Sequence, residues 1–454
     1  AQVHRLVRVY GHPSSMPLEL LSFIVATLVL SVAVSGAPNG GAPCATDLEC
    51  QLNGDCVKGR CICDAAWTGS NCSVLSLLPA LPLSTASGDP GQGYSAGDKS
   101  IWSSWGGNTH VDMDGIWHLF AAEMGGHCGL GAWGSNSRCV HAVSAKAEGP
   151  YTFKEVVLDA WCHGTSSTTD PSSGHWFMFH MGSGCLTQNY VNNCIDGTTP
   201  AKKTTIHSTS DKPCDAHHKL TASAALVAEA PSGPWRVAGN LPNAPNCEPF
   251  ILANGTMFVA CPSGPRVDDP HCNNQNSFIQ MYRAERWNET FRKMPISYVG
   301  AGDNNTKPCF NWEDQTIWVD RRGNFHTFMH AWRGQPTDYP APGCYKDGMP
   351  CTTRAGHAYS RDGAHWFISP VAPLNGTVEY QDGTSISFRA RERPHVVLNQ
   401  HGDLEFLLNG MGMPGPGGNI GVPGHDRTFT HIQPIRQHHP QDLVPDAGAR
   451  VFVV

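Results

Sequence analysis

The stretch Trp312–Trp332, which reads WEDQTIWVDRRGNFHTFMHAW, has the pattern that decides the fold. Two acidic residues, Glu313 and Asp314, are followed by an apolar run, a turn at Gly323 and an aromatic run. The alternation of apolar and polar residues in FHTFMH has the period of two that is typical of a half-buried β-strand. The stretch is therefore predicted to be a β-hairpin that begins with charged residues.

The same order of residue types recurs along the chain. Its five copies begin at Asn108, His163, Glu248, Glu313 and Glu392. Their tight turns are predicted at Gly115, Gly174, Gly255, Gly323 and Gly402. Glycine suits such turns because it adopts a positive φ without steric cost. Further strand-like segments follow the hairpins, so each unit offers about four strands, as in the blades of a β-propeller. The sequence predicts an all-β fold with a five-bladed β-propeller at residues 99–437.

In such a fold, the polar starts of the five units would lie close together in space. The innermost strand of each blade lines the propeller axis, so the polar starts are predicted to converge on one mouth of the central cavity. The alternative is that acids before a strand are solvated turn residues. A single copy would favour that alternative, whereas five aligned copies favour a common pocket.

Composition narrows the functional class. The chain has 454 residues, a formal net charge of -7 and 15% charged residues, against roughly 25% in average soluble proteins. The mild negative charge argues against a nucleic-acid partner. The sequence has no HExxH or Walker pattern, which argues against the common metalloprotease and nucleotide-binding classes. No cofactor and no metal are predicted.

The N-terminal region has the features of a secretion signal. Met16 is the predicted start, residues 1–36 are the predicted leader, and the apolar run Leu20–Val34 has the length of a signal peptide core. The alternative is an uncleaved signal anchor, because the nearby arginines precede Met16. Glycosylation is predicted at Asn254, Asn288, Asn304 and Asn375. Together with 18 cysteines, these features predict a secreted, extracellular glycoprotein.

Six cysteines within residues 44–72 form a small module. About thirty residues cannot bury a sufficient core, so disulfides must stabilise this segment, and spacing alone leaves 15 pairings open. The Cys61-x-Cys63 step and Gly69 resemble an EGF-like module. That resemblance implies the pairs Cys44–Cys56, Cys50–Cys61 and Cys63–Cys72. The module is predicted at residues 37–76, with a linker at 77–98 and a C-terminal tail at 438–454. Farther along, Cys128–Cys139 and Cys344–Cys351 are predicted as short-range pairs.

The repeated units, two of which contain GPY and GPW, resemble the five-bladed propellers of glycoside hydrolase families 43 and 32. The resemblance covers residues 101–436. It implies a base or nucleophile Asp on the first blade, a second Asp that orients it, and a general-acid Glu on a later blade. This chain departs from that pattern, because the first position holds Asn108 and the second holds His163. An Asn side chain can neither accept a proton from water nor form a glycosyl ester.

The remaining carboxylates are the candidates for catalysis. Glu248 is the predicted acid, with its pKa raised by Trp312 and low polarity, and Asp314 or Glu392 is the predicted base. Substrate-binding residues are predicted to be Asn108, His163, Trp312, Glu313, Arg391, Arg393 and His395. The arginines are expected either to bind an anionic sugar or to neutralise the acids, which would then be structural. Two functions therefore stand: a glycosidase, and a catalytically inactive propeller that binds glycans in the extracellular matrix or at the cell surface.

Overall fold

A computed structural model describes the chain in segments. They are residues 39–82, 94–95, 103–159, 161–182, 194, 223–242, 244–263, 278–299, 311–333, 355–388, 390–412 and 427–437. The predicted leader, the C-terminal tail, Asn304 and the predicted pair Cys344–Cys351 lie outside the described residues. Within the described segments, every helix is too short or too polar to cross a membrane.

The N-terminal module consists of two small β-sheets that are stabilised by disulfide bonds. Its strands are β1 Gly54–Val57, β2 Arg60–Cys63, β3 Trp67–Thr68 and β4 Val74–Leu75. Its disulfides are Cys44–Cys56, Cys50–Cys61 and Cys63–Cys72, the pairing that the EGF resemblance implies. The cysteines contribute to a core that so short a segment could not build from aliphatic side chains alone.

The described residues beyond this module form five blade sheets, so the predicted all-β propeller is confirmed. Strand pairing is antiparallel except for one parallel outer pair in the first blade and one in the fourth. Blade 1 comprises β5 Tyr94–Ser95, β6 Ser103–Val111, β7 Trp117–Met124, the short helices Leu130–Ala132 and α1 Trp133–Asn136, β8 Ser137–Ser144 and β9 Tyr151–Leu158. Blade 2 comprises β10 His163–Thr169, β11 Trp176–Met181, β12 Ser223–Ala228 and β13 Arg236–Val237. Blade 3 comprises β14 Glu248–Ile251, β15 Met257–Ser263, β16 Phe278–Ala284 and β17 Arg292–Lys293.

Blades 4 and 5 complete the ring. Blade 4 comprises β18 Ser297–Val299, β19 Asn311–Val319, β20 Phe325–Arg333, β21 Ala355–Ser360 and β22 His365–Ile368. A hairpin of β23 Thr377–Glu379 and β24 Ser385–Ser387 precedes blade 5, which comprises β25 Ala390–Leu398, β26 Leu404–Gly412 and β27 Thr428–Pro434. The first long strands β6, β10, β14, β19 and β25 contact one another in a closed ring, which makes them the innermost strands.

The five predicted glycine turns join the first and second long strands of the blades. Each of these glycines has a positive φ, from 75° to 86°. A side chain in that left-handed region would be strained, which explains why the turn of every blade carries glycine.

Apolar side chains pack between neighbouring blades rather than inside the axis. Leu119 and Val140 of blade 1, for example, pack against Leu408 and Ile432 of blade 5. Burial of each such side chain stabilises the fold by roughly 1.5–3 kcal/mol. This contact between the first and last blades closes the ring and leaves the polar starts of the innermost strands to line the axis.

The EGF-like module packs against blades 4 and 5. The Trp67 ring lies 5.8 Å from the Phe328 ring and 5.0 Å from the His357 ring, centroid to centroid. An Arg322 guanidinium nitrogen donates to the Leu52 carbonyl oxygen at 2.8 Å, and Arg322 also pairs with Asp55 of the module. Tertiary contacts therefore fix the position of the module on the propeller.

The first residues of the predicted linker also contact the propeller. Leu77 pairs with Ile435 next to the last strand, and Ala80 pairs with Tyr380 beside the β23–β24 hairpin. The Leu78 amide donates to the Pro434 carbonyl at 2.8 Å. This segment therefore continues the sheet of blade 5, which has three long strands of its own.

The predicted pair Cys128–Cys139 is wrong. Cys139 bonds to Cys162, and Cys128 bonds to Cys194. Cys139 faces blade 2, where it packs in a cluster with Cys162, whereas Cys128 packs with Cys194 in a separate cluster. Proximity in sequence misled the prediction, because the direction in which a strand residue faces selects its partner.

Candidate functional site

Each blade has a residue with left-handed backbone where its innermost strand begins. These residues are Gly106 (φ 61°), Gly164 (62°), Asn246 (58°), Asp314 (53°) and Arg393 (48°). Strand pairing shifts register just beyond this residue in blades 1, 2, 4 and 5. A positive φ is uncommon for residues such as Asp and Arg, and strained backbone of this kind clusters at functional sites.

This bulge corrects the alignment of the blades that the sequence suggested. Asn108 and Glu248 lie two residues after the left-handed residue, whereas His163, Glu313 and Glu392 lie one residue before it. The five polar starts therefore do not occupy equivalent positions. A bulge adds a residue to one strand only, so counting from the turn glycines cannot reveal the register.

Arg393 connects the five blades at the axis. A Cβ atom on Gly106 would lie 2.7 Å from the Arg393 Cδ, and one on Gly164 would lie 2.9 Å from its Nη1. Its Nη2 donates to the Asn246 Oδ1 at 3.1 Å and lies 3.1 Å from the Asp314 Oδ1. The side chain of blade 5 thus reaches all four other blades, and glycine at two bulges leaves room for it.

Blades 3, 4 and 5 supply a cluster that we call the acidic half. Its members are Glu248, Glu313, Asp314, His330, Glu392 and His395. A Glu248 oxygen lies 3.1 Å from the Nδ1 of His395, and burial raises the pKa of Glu248. Burial, and secondarily the nearby Glu313, raise the pKa of Asp314 to about 6. The side chain of Trp312, which the sequence assigned to raising the pKa of Glu248, lies outside the described part of the chain.

Two carboxyl groups of the acidic half flank one imidazole. The Nδ1 of His330 lies 3.6 Å from the Glu313 Oε1 and 3.8 Å from the Glu392 Oε2. The separation of these two carboxyl oxygens therefore cannot exceed the sum of their distances to the Nδ1. Burial raises the pKa of Glu392 to about 7, and the Glu392 and Glu313 carboxylates raise the pKa of His330 despite its burial. Glu392 is almost fully buried, whereas the Glu313 side chain is 35% exposed.

The acidic half also contains a possible cation site. Glu313, Asp314 and His330 each place one potential ligand atom within 4.8 Å of the others. The Arg393 guanidinium already provides a positive charge to Asp314 at 3.1 Å. The charge of the carboxylates is thus partly balanced by residues of the chain itself.

Arg391 does not join these residues. Its guanidinium donates to the Asn409 Oδ1 at 2.9 Å, the Gln433 Oε1 at 2.9 Å and the Asn375 carbonyl oxygen at 3.2 Å. Burial lowers its pKa to about 10. Arg391 and Arg393 are two residues apart, but the structure places Arg391 within blade 5 and Arg393 at the axis.

Blades 1 and 2 supply a cluster of different chemistry, which we call the aromatic half. Its members are Trp133, Trp161 and His163. The His163 ring lies 5.3 Å from the Trp133 ring, and the Trp161 ring lies 6.1 Å from it. Burial, reinforced by the positive charge of Arg393, holds the pKa of His163 well below its usual value, so His163 is neutral at pH 7.

The Asn108 side chain is hydrogen-bonded to Ser167 of blade 2. Its Oδ1 accepts from the Ser167 amide at 2.8 Å and from the Ser167 hydroxyl at 2.7 Å, and its Nδ2 donates to the Ser167 carbonyl. The side chain that occupies the expected first-blade Asp position therefore links blade 1 to blade 2.

The structure thus gathers most of the predicted residues at one mouth and adds others. Sequence reasoning did not assign Trp133, Asn246 or His330 to the site. Trp133 lies between two strands in a segment without repeat periodicity, so nothing in its local sequence indicated a site. The spacing of His330 from Glu313 could have suggested the contact, because paired strands of a hairpin place them opposite each other.

Comparison with known proteins identifies part of the chain. Residues 47–75 match the Teneurin-like EGF domain family. No curated protein sequence matches the chain significantly. Among solved structures, an endo-arabinase from Bacteroides thetaiotaomicron is similar at 13% identity, 80% coverage of this chain, 98% coverage of that chain and a TM-score of 0.41.

Two further solved structures are similar at the same level. A family 117 glycoside hydrolase from Zobellia galactanivorans has 11% identity, coverage of 82% of this chain and 97% of that chain, and a TM-score of 0.42. A GH43 β-xylosidase/α-arabinofuranosidase from a compost microbial metagenome has 9% identity, coverage of 77% and 96%, and a TM-score of 0.44. These similarities concern the course of the chain and do not transfer any residue's role.

Proposed function

We propose that this protein is an extracellular carbohydrate-active propeller that hydrolyses O-glycosidic bonds at the acidic half. The observation that supports this most directly is the pair Glu313 and Glu392, whose oxygens contact the same nitrogen of His330 at 3.6 and 3.8 Å. Glycosidic cleavage needs two carboxyl groups about 5–10 Å apart, one of which holds a proton. The Glu313 Oε1 and the Glu392 Oε2 are closer to each other than the upper limit of that range.

Each carboxyl group has a role that fits its environment. Glu392, with a pKa of about 7, holds a proton near neutral pH and is assigned as the acid that protonates the leaving oxygen. Glu313 is partly exposed and is assigned as the base that takes a proton from water, or as the nucleophile. The anomeric configuration of the product distinguishes these two roles. The ionised Asp314 carboxylate stabilises the positive charge that develops in the oxocarbenium-like transition state, and Arg393 holds that carboxylate in place at 3.1 Å.

Glu248, the acid that the sequence favoured, takes a supporting role in this proposal. Its carboxyl group contacts the His395 imidazole at 3.1 Å and is only 5% exposed. We assign the Glu248–His395 pair to positioning the neighbouring groups.

Hydrolysis of a panel of aryl glycosides by the purified protein tests this assignment. Glu392→Gln is expected to lower kcat at least 1,000-fold and to leave the fold intact, because the amide cannot donate the acid's proton. Glu379→Gln, a change of an exposed acid on β23, is the matched control and is expected to keep full activity. Equal activity of the Glu392→Gln variant and the wild type would exclude Glu392 as the acid.

A second candidate function is glycan binding without catalysis. It is favoured by Asn108, whose amide occupies the expected first-blade Asp position and is held by Ser167. A glycan array with the wild-type protein tests it, followed by calorimetry of each hit. Binding that persists alongside a complete lack of turnover on the bound glycans would support this function over hydrolysis.

The extracellular location is part of the same proposal. Asn254, Asn288 and Asn375 are exposed, as glycan attachment requires, and the EGF-like module is stabilised by three disulfides. Expression of the full sequence in a eukaryotic secretory host tests the location. We expect the protein in the medium, with a mass that decreases after enzymatic removal of N-glycans. Retention in the membrane fraction would favour the signal-anchor alternative.

A further inference from the structure

Trp133 presents an aromatic surface beside the axis that the proposed chemistry does not use. It is 38% exposed, although the short helix α1 that carries it is otherwise packed against blade 1. The centroid of its ring lies 5.3 Å from that of the His163 ring. His163 directly precedes Gly164, the bulge residue that the Arg393 guanidinium packs against. An exposed indole is thus held next to the residue that connects the two halves.

Buried polar atoms without partners lie next to this indole. Among the described residues, no hydrogen-bond partner is present for the Trp161 Nε1 or the His163 Nδ1. Both residues are more than nine-tenths buried. Buried polar groups in native proteins are normally satisfied, so a group of unsatisfied atoms calls for a ligand or ordered water.

The two observations together describe an exposed aromatic face with two unpartnered hydrogen-bonding groups on the neighbouring rings. A pyranose or furanose ring has that chemistry, since its C–H groups face an aromatic ring while its hydroxyl groups point outward. Ligand sites in general combine an apolar lining with a few placed polar groups.

The charges around the site select the kind of sugar. Arg393 of blade 5 is paired with Asp314 at 3.1 Å, and Arg138 of blade 1 bonds to Glu123 at 2.8 Å. The acidic half places Glu313 and Glu392 on the other side of the axis. A carboxylated sugar would meet carboxylates without a cation to compensate, whereas a neutral sugar would not.

We propose that the aromatic half is a sugar subsite in which a neutral glycosyl ring stacks on Trp133 and its hydroxyl groups bond to His163 and Trp161. The proposal rests on the proposed carbohydrate function but not on hydrolysis. His163 is neutral at pH 7, so its Nδ1 can donate to or accept from a hydroxyl group according to tautomer. Trp133 and His163 bind substrate here and take no part in proton transfer.

Direct binding to the Glu392→Gln protein tests the subsite without turnover. Titration calorimetry with xylobiose, arabinobiose, cellobiose and lactose is expected to give at least one measurable Kd, and digalacturonic acid is expected to bind at least tenfold more weakly. In the same background, Trp133→Ala is expected to raise the Kd of the neutral sugar at least tenfold. Trp133→Phe keeps an aromatic face and is expected to change the Kd less than threefold.

The outcomes separate the subsite from the catalytic proposal. Loss of binding in Trp133→Ala with an unchanged thermal unfolding midpoint supports the subsite, even if the wild type fails to hydrolyse any glycoside. Unchanged Kd in Trp133→Ala, tighter binding of digalacturonic acid than of every neutral sugar, or no binding of any of the four neutral disaccharides would overturn it.

Discussion

The two halves of the mouth differ in the kind of polar group that they bury. In the acidic half, the described side chains face partners of opposite charge or a shared imidazole, as Asp314 does with Arg393 and Glu392 does with His330. In the aromatic half, the buried polar groups are uncharged, since His163 is neutral at pH 7 and Trp161 has only an indole N–H. Both halves keep buried atoms without a hydrogen-bond partner among the described residues, such as the Glu392 Oε1 and the His163 Nδ1, but only the acidic half holds charge.

This difference suggests different roles for the two halves of the propeller mouth, with proton transfer in the acidic half and sugar binding in the aromatic half. Groups that must move a proton need shifted pKa values, and burial next to like charges provides them. Groups that recognise a sugar need unused hydrogen bonds and an apolar face instead. Arg393 lies between the halves, so its removal tests whether they form one site.

The largest stability effect is expected from Arg393→Met. The variant leaves Asp314 buried without its cation and removes the contact with Asn246. Loss of one member of a buried ion pair costs about 3–5 kcal/mol, because the remaining charge is uncompensated. Urea unfolding measures this cost, with the exposed Arg292→Met on β17 as control. A cost below about 1 kcal/mol would mean that the two halves do not depend on Arg393.

A smaller, pH-dependent effect is expected from the acidic half. Glu392 and Asp314 have raised pKa values in the folded chain, about 7 and about 6, against ordinary values of 4.5 and 3.8. Between the ordinary and raised values the folded chain keeps a proton that the unfolded chain has lost. Stability from these groups therefore falls as pH rises through that window, by about 1.4 kcal/mol per pH unit and group.

Glu392→Gln isolates this contribution. The variant is expected to match the wild type at pH 5 and to be more stable by about 2 kcal/mol at pH 8, where the wild-type carboxyl group is ionised in the folded chain. Urea unfolding across this pH range provides the measurement, with Glu379→Gln as the exposed control. A difference that does not change with pH would show that Glu392 is not buried in a charge-excluding site. The lowered pKa of His163 acts oppositely and weakens the fold as pH falls below about 6.5.

A loss of about 1–3 kcal/mol is expected from Asn108→Asp. The carboxylate keeps an acceptor for the Ser167 amide but loses the donor to the Ser167 carbonyl. Because blade 1 belongs to the binding side of the comparison, restoring the first-blade acid is expected not to increase turnover. Unfolding and aryl glycoside assays measure both quantities. A rise in kcat would show that blade 1 takes part in the chemistry.

The smallest stability effect is expected from Trp133→Ala. Its ring is 38% exposed, so truncation is expected to change the free energy of unfolding by less than about 0.5 kcal/mol. The same measurement on Trp161→Ala, a buried neighbour, is expected to cost about 3 kcal/mol or more. A large loss of unfolding free energy in Trp133→Ala would mean that the Trp133 ring stabilises the fold and is not an exposed ligand-binding surface.

The sequence by itself determined the features that depend on local chemistry. The alternation in FHTFMH, the five turn glycines and the six clustered cysteines gave the strands, the blade count and the EGF-like module, because each is a requirement of neighbouring residues. The pairing of Cys44 with Cys56 followed from the resemblance to a known module.

Only the tertiary structure decided which side chains share the mouth. Bulges in four innermost strands, and the left-handed Asn246 before the strand of blade 3, place Glu313 and Glu392 ahead of the left-handed residue and Glu248 behind it. Strand direction places Arg391 away from the axis, whereas Arg393 crosses it. The packing of the EGF-like module on Phe328 and the position of Trp133 beside His163 likewise join residues far apart in sequence. The physical reason is that register and blade closure depend on long-range packing, which a local pattern cannot specify.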